Sequence, residues 1–175
     1  MPEATIRLVA PSLELEAAYQ TCESEFNAQG EAFLGVAATD WPAFVARCDE
    51  EAHGIVRIPE RVAQTVLLLA RETPGQTTLL GVSKLRHTLT PTLEDIGGHI
   101  GYSIRPSERG KGYGSLILAL TLERARALGL SRVLLTCDTS NIRSARVIQR
   151  NGGVLTSEGY SSLRGARVSR YWIAL

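Results

Sequence analysis

The chain has 175 residues, 44% of them hydrophobic and 21% charged, with a formal net charge of only +1. Such a length suits one domain (1–175), because a chain of roughly 150 residues already buries about two thirds of its unfolded surface, and the balanced charge gives no bulk attraction to nucleic acid. Cys22, Cys48 and Cys137 form no C-x-x-C pair and are odd in number, which points to a reducing cytoplasm, and no apolar run reaches the roughly 18 residues of a membrane span.

In chain order, residues 5–10 alternate as a first strand, and Pro11-Ser12 offers a turn and N-cap to a helix over 13–29. Leu15, Tyr19, Cys22 and Phe26 recur on one stripe of that helix and should face a core. A shorter helix is expected over 41–51, with Pro42 in its first turn. Residues 64–71 and 78–89, joined by Thr73-Pro74-Gly75-Gln76, read as an antiparallel pair, and 96–105 as a fourth strand. Arg86-His87, on the third strand, reads as an exposed strand end in preference to a substrate contact. A helix over 115–128 leads to a buried fifth strand at 132–137. A helix over 141–151 stops at Gly152-Gly153, and 154–160 with 168–173 close the chain as a hairpin. The order is mixed α/β, with antiparallel strands leading.

Between the fourth strand and its helix stands Arg109-Gly110-Lys111-Gly112-Tyr113-Gly114. Glycines at alternate positions remove the Cβ atoms that would hold a ligand off the backbone, so successive amides can face an anion. The helix that follows adds unpaired amides and a favourable dipole, and a phosphorylated cofactor is implied. A P-loop would need Ser or Thr after Lys111, where Gly112 stands, and the even glycine spacing after Arg105-Pro106 does not fit a dinucleotide fingerprint.

The order Arg-x-x-Gly-x-Gly after Arg105-Pro106 resembles the acyl-CoA loop of the GNAT superfamily of N-acetyltransferases. From about 97 to 153 the chain is similar to that family's two central motifs. Its segments Gly97-Gly98-His99-Ile100-Gly101-Tyr102, Leu135-Thr136-Cys137-Asp138 and Arg170-Tyr171-Trp172-Ile173 are similar to those of a group of bacterial acetyltransferases. The resemblance implies a three-layer α/β fold: a mostly antiparallel sheet of about seven strands, a splayed central strand pair and flanking helices. It implies acetyl-CoA as co-substrate, with the pantetheine arm between the fourth and fifth strands against the edge formed by Tyr102 and Ile104. The pyrophosphate would lie on Arg109, Gly110, Lys111, Gly112, Tyr113, Gly114 and Ser115. Asn141 and Ser144 would complete the cofactor contacts, though Asn141 also serves simply as an N-cap. Gly97, Gly98 and Gly101 permit a close backbone approach or merely weaken a strand end.

The chain departs from the family where many members carry a tyrosine that protonates the departing thiolate. Ile148 stands there, and Gly153 replaces the usual aromatic residue. Tyr102, Tyr160, Ser144 or solvent would have to supply that proton. Acetyl transfer also needs a neutral amine, and at pH 7 a lysine-like amine of pKa about 10.4 is roughly 99.9% protonated. His99 is the candidate base, with Glu94 and Asp95 as rivals. The resemblance to the family further implies that a backbone amide near Ile104 faces the developing oxyanion. Cys137 lacks an adjacent histidine and reads as structural rather than nucleophilic. His53 and His87 show no metal-ligand spacing, and no metal is expected.

The expectation is a cytoplasmic N-acetyltransferase passing the acetyl group of acetyl-CoA directly to a primary amine, first of all of a small molecule. A non-catalytic acyl-CoA-binding module and an acyl-CoA hydrolase are the alternatives. The acceptor pocket is expected in the loops over 27–62 and 158–168, and the terminal strand could pair two copies as a homodimer.

Overall fold

A computed structural model of the chain describes residues 4–32 and 40–175. Four antiparallel strands form one sheet in the order β1 (Thr5–Val9), β2 (Gln64–Thr73), β3 (Gln76–Arg86), β4 (Ile100–Ile104). The second sheet sets β7 (Ala166–Ala174) between β5 (Arg132–Asp138) and β6 (Val154–Ser161). The seven strands, the flanking helices and the separation of β4 from β5 match the expected architecture. At the turn between β2 and β3, Gly75 takes a φ of 78°, where a side chain would be strained.

Alternation along the strands gives the first sheet two apolar faces. On one face lie α1 (Glu16–Ala28) and α2 (Trp41–Ala52). The α1 stripe of Tyr19, Cys22 and Phe26 packs with Trp41, Phe44 and Cys48 over Val66, Leu68, Leu79 and Val82. Asp40 caps α2 by accepting from the Ala43 amide at 3.0 Å. On the other face lies α4 (Tyr113–Ala127), whose Ile117 meets Leu8, Leu67, Leu69 and Leu80.

With α5 (Ile142–Arg150), α4 also joins the two sheets. Leu118, Leu122, Ala125 and Ile148 pack among Leu85 and Ile100 of the first sheet and Val133, Leu135, Tyr171 and Ile173 of the second. Each fully buried aliphatic side chain stabilises the fold by about 1.5–3 kcal/mol, so this shared cluster holds sheets whose facing strands are unpaired along most of their length.

Two boundaries differ from expectation in ways that shape the site. The fourth strand begins at Ile100, because Thr90 caps a short helix, α3 (Pro91–Asp95), and Gly97 and Gly98 then turn the chain at φ 98° and 61°. The helix after the glycine run begins at Tyr113 rather than Ser115, with Gly112 at φ 87° as its N-cap. The expected acceptor loop over 27–62 lies partly outside the described residues.

Candidate active site

The edge strands β4 and β5 meet at one end. The His99 amide donates to the Leu134 carbonyl at 2.7 Å, and the Leu134 amide donates to His99 Nδ1 at 2.9 Å. A Cβ on Gly98 would stand 2.3 Å from the Leu134 oxygen, so the approach requires glycine there. Beyond this contact the strands part around a cavity of about 370 Å³, whose lining includes Ile100, Tyr102, Cys137, Asn141, Ser144 and Ile148. The Arg105 amide donates to Leu80 of β3, and the antiparallel alternation therefore turns the amides of Tyr102 and Ile104 away from β3, toward the open edge.

The glycine run follows this edge. At Gly114, a Cβ would sit 3.3 Å from Val147 and 4.0 Å from the Tyr102 ring, so the start of α4 abuts both the cleft wall and α5. Gly110 and Gly112 adopt φ of 80° and 87°, and a Cβ at either would meet no atom within 4 Å. Among the described residues no backbone acceptor takes the amides of Gly110, Lys111, Gly112, Tyr113 or Gly114, whereas the Ser115 amide returns to Gly112 at 3.1 Å. Five amides without acceptors at the start of a helix beside open space form an anion cradle, and the pyrophosphate of a CoA ester fits it.

The basic side chains of this run are already paired. Arg109 donates to both carboxylate oxygens of Glu31 at 2.9 and 2.5 Å and, through Nε, to the Ile104 carbonyl at 3.1 Å. Lys111 donates to Glu108 at 2.9 Å. Just upstream, Arg105 binds Glu25 of α1 at 2.6 Å, and Ser107 supports the same carboxylate. The Arg105 hydrogen bond is the leading cause that brings the Glu25 pKa down to about 2. The donors that the loop leaves unpaired are therefore its backbone amides, while Glu25 of α1 and Glu31 just after it anchor the loop. Nothing in the sequence marked these two acids, which lie about 80 residues from their partners.

The candidate catalytic side chains divide clearly. Tyr102 crosses the cleft to Ser144, with its hydroxyl 3.3 Å from Ser144 Oγ. Burial raises its pKa, which keeps the hydroxyl protonated. Asn141 caps α5 by accepting from the Ser144 amide at 3.1 Å, and so fixes the turn that presents Ser144. Cys137 lines the same cavity, but burial first and Asp138 second push its thiol pKa up. His99 is 7% exposed and packs edge-on against Trp172. Burial, then Arg86 and Arg132, lower its pKa, and its Nδ1 lone pair is engaged by Leu134. Glu94 is exposed on α3 and, like His99, lines neither this cavity nor the one described next. Asp95 accepts from Ser161 Oγ and from Arg170, tying α3 to the β6–β7 hairpin.

A second cavity, of about 570 Å³, is lined by Glu60, Arg61, Gln64, Lys84, Arg86 and Leu93 among others. Arg86 lines both cavities, and its guanidinium donates to the carbonyls of Gly97 and Gly98 at 3.2 and 3.0 Å. It is thus a partly buried wall residue and not the exposed strand end expected from sequence, because the turn at Gly97-Gly98 folds back over it. His87 bonds Thr65 at 2.9 Å. Among the described residues no group of three or more His, Cys, Asp or Glu side chains could hold a metal ion, and no helix is long and apolar enough to cross a membrane.

A family model described as an acetyltransferase (GNAT) domain matches residues 36–154. Solved structures share the fold at low identity. RimJ of Mycobacterium smegmatis, in complex with CoA-disulfide, is 19% identical with a TM-score of 0.70, over 97% of this chain and 81% of that one. The microcin C7 self-immunity acetyltransferase MccE, in complex with acetyl-CoA and AMP, is 16% identical with a TM-score of 0.68, over 97% and 92%. A spermidine N-acetyltransferase SpeG chimera from Vibrio cholerae and hSSAT is 15% identical with a TM-score of 0.64, over 97% and 95%. No curated protein matches the sequence significantly.

Proposed function

This chain belongs to the GNAT family of acetyltransferases, and from that premise we propose that it moves the acetyl group of acetyl-CoA to a primary amine of a small molecule. The observation that carries the reading is the joining of two features: unpaired strand edges that part beyond Gly98, and acceptor-free amides at the end of the cleft where α4 starts. The spermidine acetyltransferase among the structural neighbours is in keeping with a small acceptor.

In this reading the amides of residues 110–114 hold the pyrophosphate, and the edge amides of Tyr102 and Ile104 hold the pantetheine arm. The thioester supplies an activated acyl group. Tyr102 donates a proton to the leaving sulfur, with Ser144 fixing its hydroxyl, and so takes the part that Ile148 lacks the chemistry for. A thiol of pKa about 8.5 leaves readily, which limits how much that acid contributes. With Nδ1 of His99 engaged, a neutral ring presents a donor at its other nitrogen and no free lone pair. The amine proton therefore leaves to water in the open second cavity, and acceptors of lower amine pKa react faster.

Thiol release from acetyl-CoA across a broad amine panel tests the function. Release that depends on an amine is expected. Amine-independent release would make the protein a hydrolase, and tight binding without release would make it a sensor.

A further inference from the structure

We propose that Gly101 is the specificity-determining residue of the transfer site: its missing side chain is the opening through which the acceptor amine passes from the second cavity to the thioester. This inference rests on the transfer reading above and assigns the route by which the acceptor enters. A glycine inside a strand weakens it, and the usual reasons for one are a bulge, a left-handed backbone, the close approach of another chain segment, or a ligand. The register of β3 with β4 runs unbroken from the pair Gly81 and Ile104 to the pair Leu85 and Ile100, so no bulge is present. Gly101 also keeps its φ outside the left-handed region, and a Cβ there would meet nothing within 4 Å. Gly81 of β3 differs, because a Cβ there would stand 2.5 Å from the Ser103 carbonyl oxygen. Packing thus explains Gly81, whereas a ligand is the reason left for Gly101.

The position of the glycine identifies that ligand. Directly opposite Gly101 on β3 stands Lys84, and the Arg86 amide donates to the His99 carbonyl at 2.7 Å to make the next like pair. Residues opposite one another, or two apart along a strand, share one face of a sheet, so Lys84, Arg86 and His99 ring the place where Gly101 carries no side chain. It is the face on which Val82 meets α1 and α2. Lys84 and Arg86 line the second cavity, while Gly101 and Arg86 line the cleft. The gap in the ring therefore lies between the two spaces. In the transfer reading the pantetheine arm comes from the α4 end past Ile104 and then Tyr102, which brings its thioester beside Gly101. An amine arriving over Gly101 meets the acyl carbon from the face opposite the buried cluster of α4 and α5, and its proton has the water of the second cavity to go to. A methyl group at this position would stand in that path, and misplacing a reactant by about 1 Å costs on the order of 100-fold in rate.

The test compares the full chain with its Gly101→Ala and Gly101→Val variants, using propylamine and isopropylamine, isomers of nearly equal basicity, as acceptors in the thiol-release assay. Valine is a strand former and keeps β4 intact, and CoA binding by calorimetry checks that each variant is folded. The unaltered chain should acetylate both isomers. Gly101→Ala should lower kcat/KM for propylamine about 10-fold and for the branched isomer further, and Gly101→Val should lower both about 100-fold or more, with CoA affinity changed less than twofold. A strand weakened in general would not separate the two isomers. An unchanged kcat/KM, an equal fall for both isomers, or a matching loss of CoA affinity overturns this proposal and leaves the transfer reading standing. Inertness of both isomers while other amines react also overturns it. If no amine of a broad panel accelerates thiol release, the transfer reading fails and this proposal with it.

Discussion

His99 and Leu134 bond each other twice, amide to carbonyl and amide to imidazole, at 2.7 and 2.9 Å. Two strands that share no ladder are thereby pinned at one end, where the Gly97 amide also donates to Thr136 Oγ1 at 2.8 Å. The cleft opens from that pin, so the sequence around Gly98 and His99 sets the geometry in which a thioester would lie.

Gly98→Ala should be among the most damaging small substitutions. The φ of 61° and a Cβ only 2.3 Å from a backbone oxygen leave no relief through a side-chain rotation. A loss of about 2–4 kcal/mol is expected from strain and overpacking together. At Gly101 a Cβ meets nothing within 4 Å, and Gly101→Ala should stay within about 0.5 kcal/mol. Urea unfolding of both variants makes the comparison.

At the loop, charge can be separated from backbone strain. Gly112→Asn and Gly112→Asp both place a side chain at φ 87°, and both residue types tolerate the left-handed region better than most. The aspartate alone adds a negative charge beside the phosphates, so it should bind CoA about tenfold more weakly than the asparagine variant in calorimetry. Equal affinities would remove the pyrophosphate from this loop.

The pH dependence of stability reports on His99. Its pKa in the folded chain lies below the ordinary value of about 6.5, so between those two values the unfolded chain binds the additional proton. Stability is therefore complete above roughly pH 7, falls as pH drops through about 6.5, and levels off below the folded pKa. His87, also lowered by burial, acts in the same window, while the arginine-paired acids lose their contribution only below about pH 4. His99→Gln should show a shallower slope between pH 7 and 5 in denaturant midpoints. The rate of transfer, by contrast, should rise with pH toward the pKa of the acceptor amine, and an inflection set by His99 would contradict the route through water.

Tyr102→Phe removes one hydroxyl and its 3.3 Å contact with Ser144 while keeping the ring. The expected result is a kcat lower by about 10-fold to 100-fold, a KM for acetyl-CoA within twofold, and a stability change near 1 kcal/mol. An unchanged kcat would reassign the proton to solvent.

The elements that pattern alone controls were legible. The stripe of Tyr19, Cys22 and Phe26 packs as its spacing requires, and Pro74-Gly75 turns where a hairpin needs it. The glycine run was legible in its backbone conformation, because φ and the lack of Cβ are local properties of Gly110 and Gly112. What stayed hidden depends on partners far away in sequence. Arg109 and Lys111 read as anion-binding cations until Glu31 and Glu108 are seen to hold them. His99 reads as a free base until Leu134 arrives at its Nδ1. Arg86 looks like a strand end until α3 and the Gly97-Gly98 turn, which the apolar run over 96–105 concealed, close over it.

The central claim is that the parted edges of β4 and β5 and the amides of residues 110–114 form one CoA site. A crystal structure with CoA tests it most directly. The account predicts pyrophosphate oxygens within hydrogen-bonding distance of those amides and the pantetheine arm against Tyr102 and Ile104. CoA bound elsewhere on the chain, with the cradle facing solvent, would contradict it.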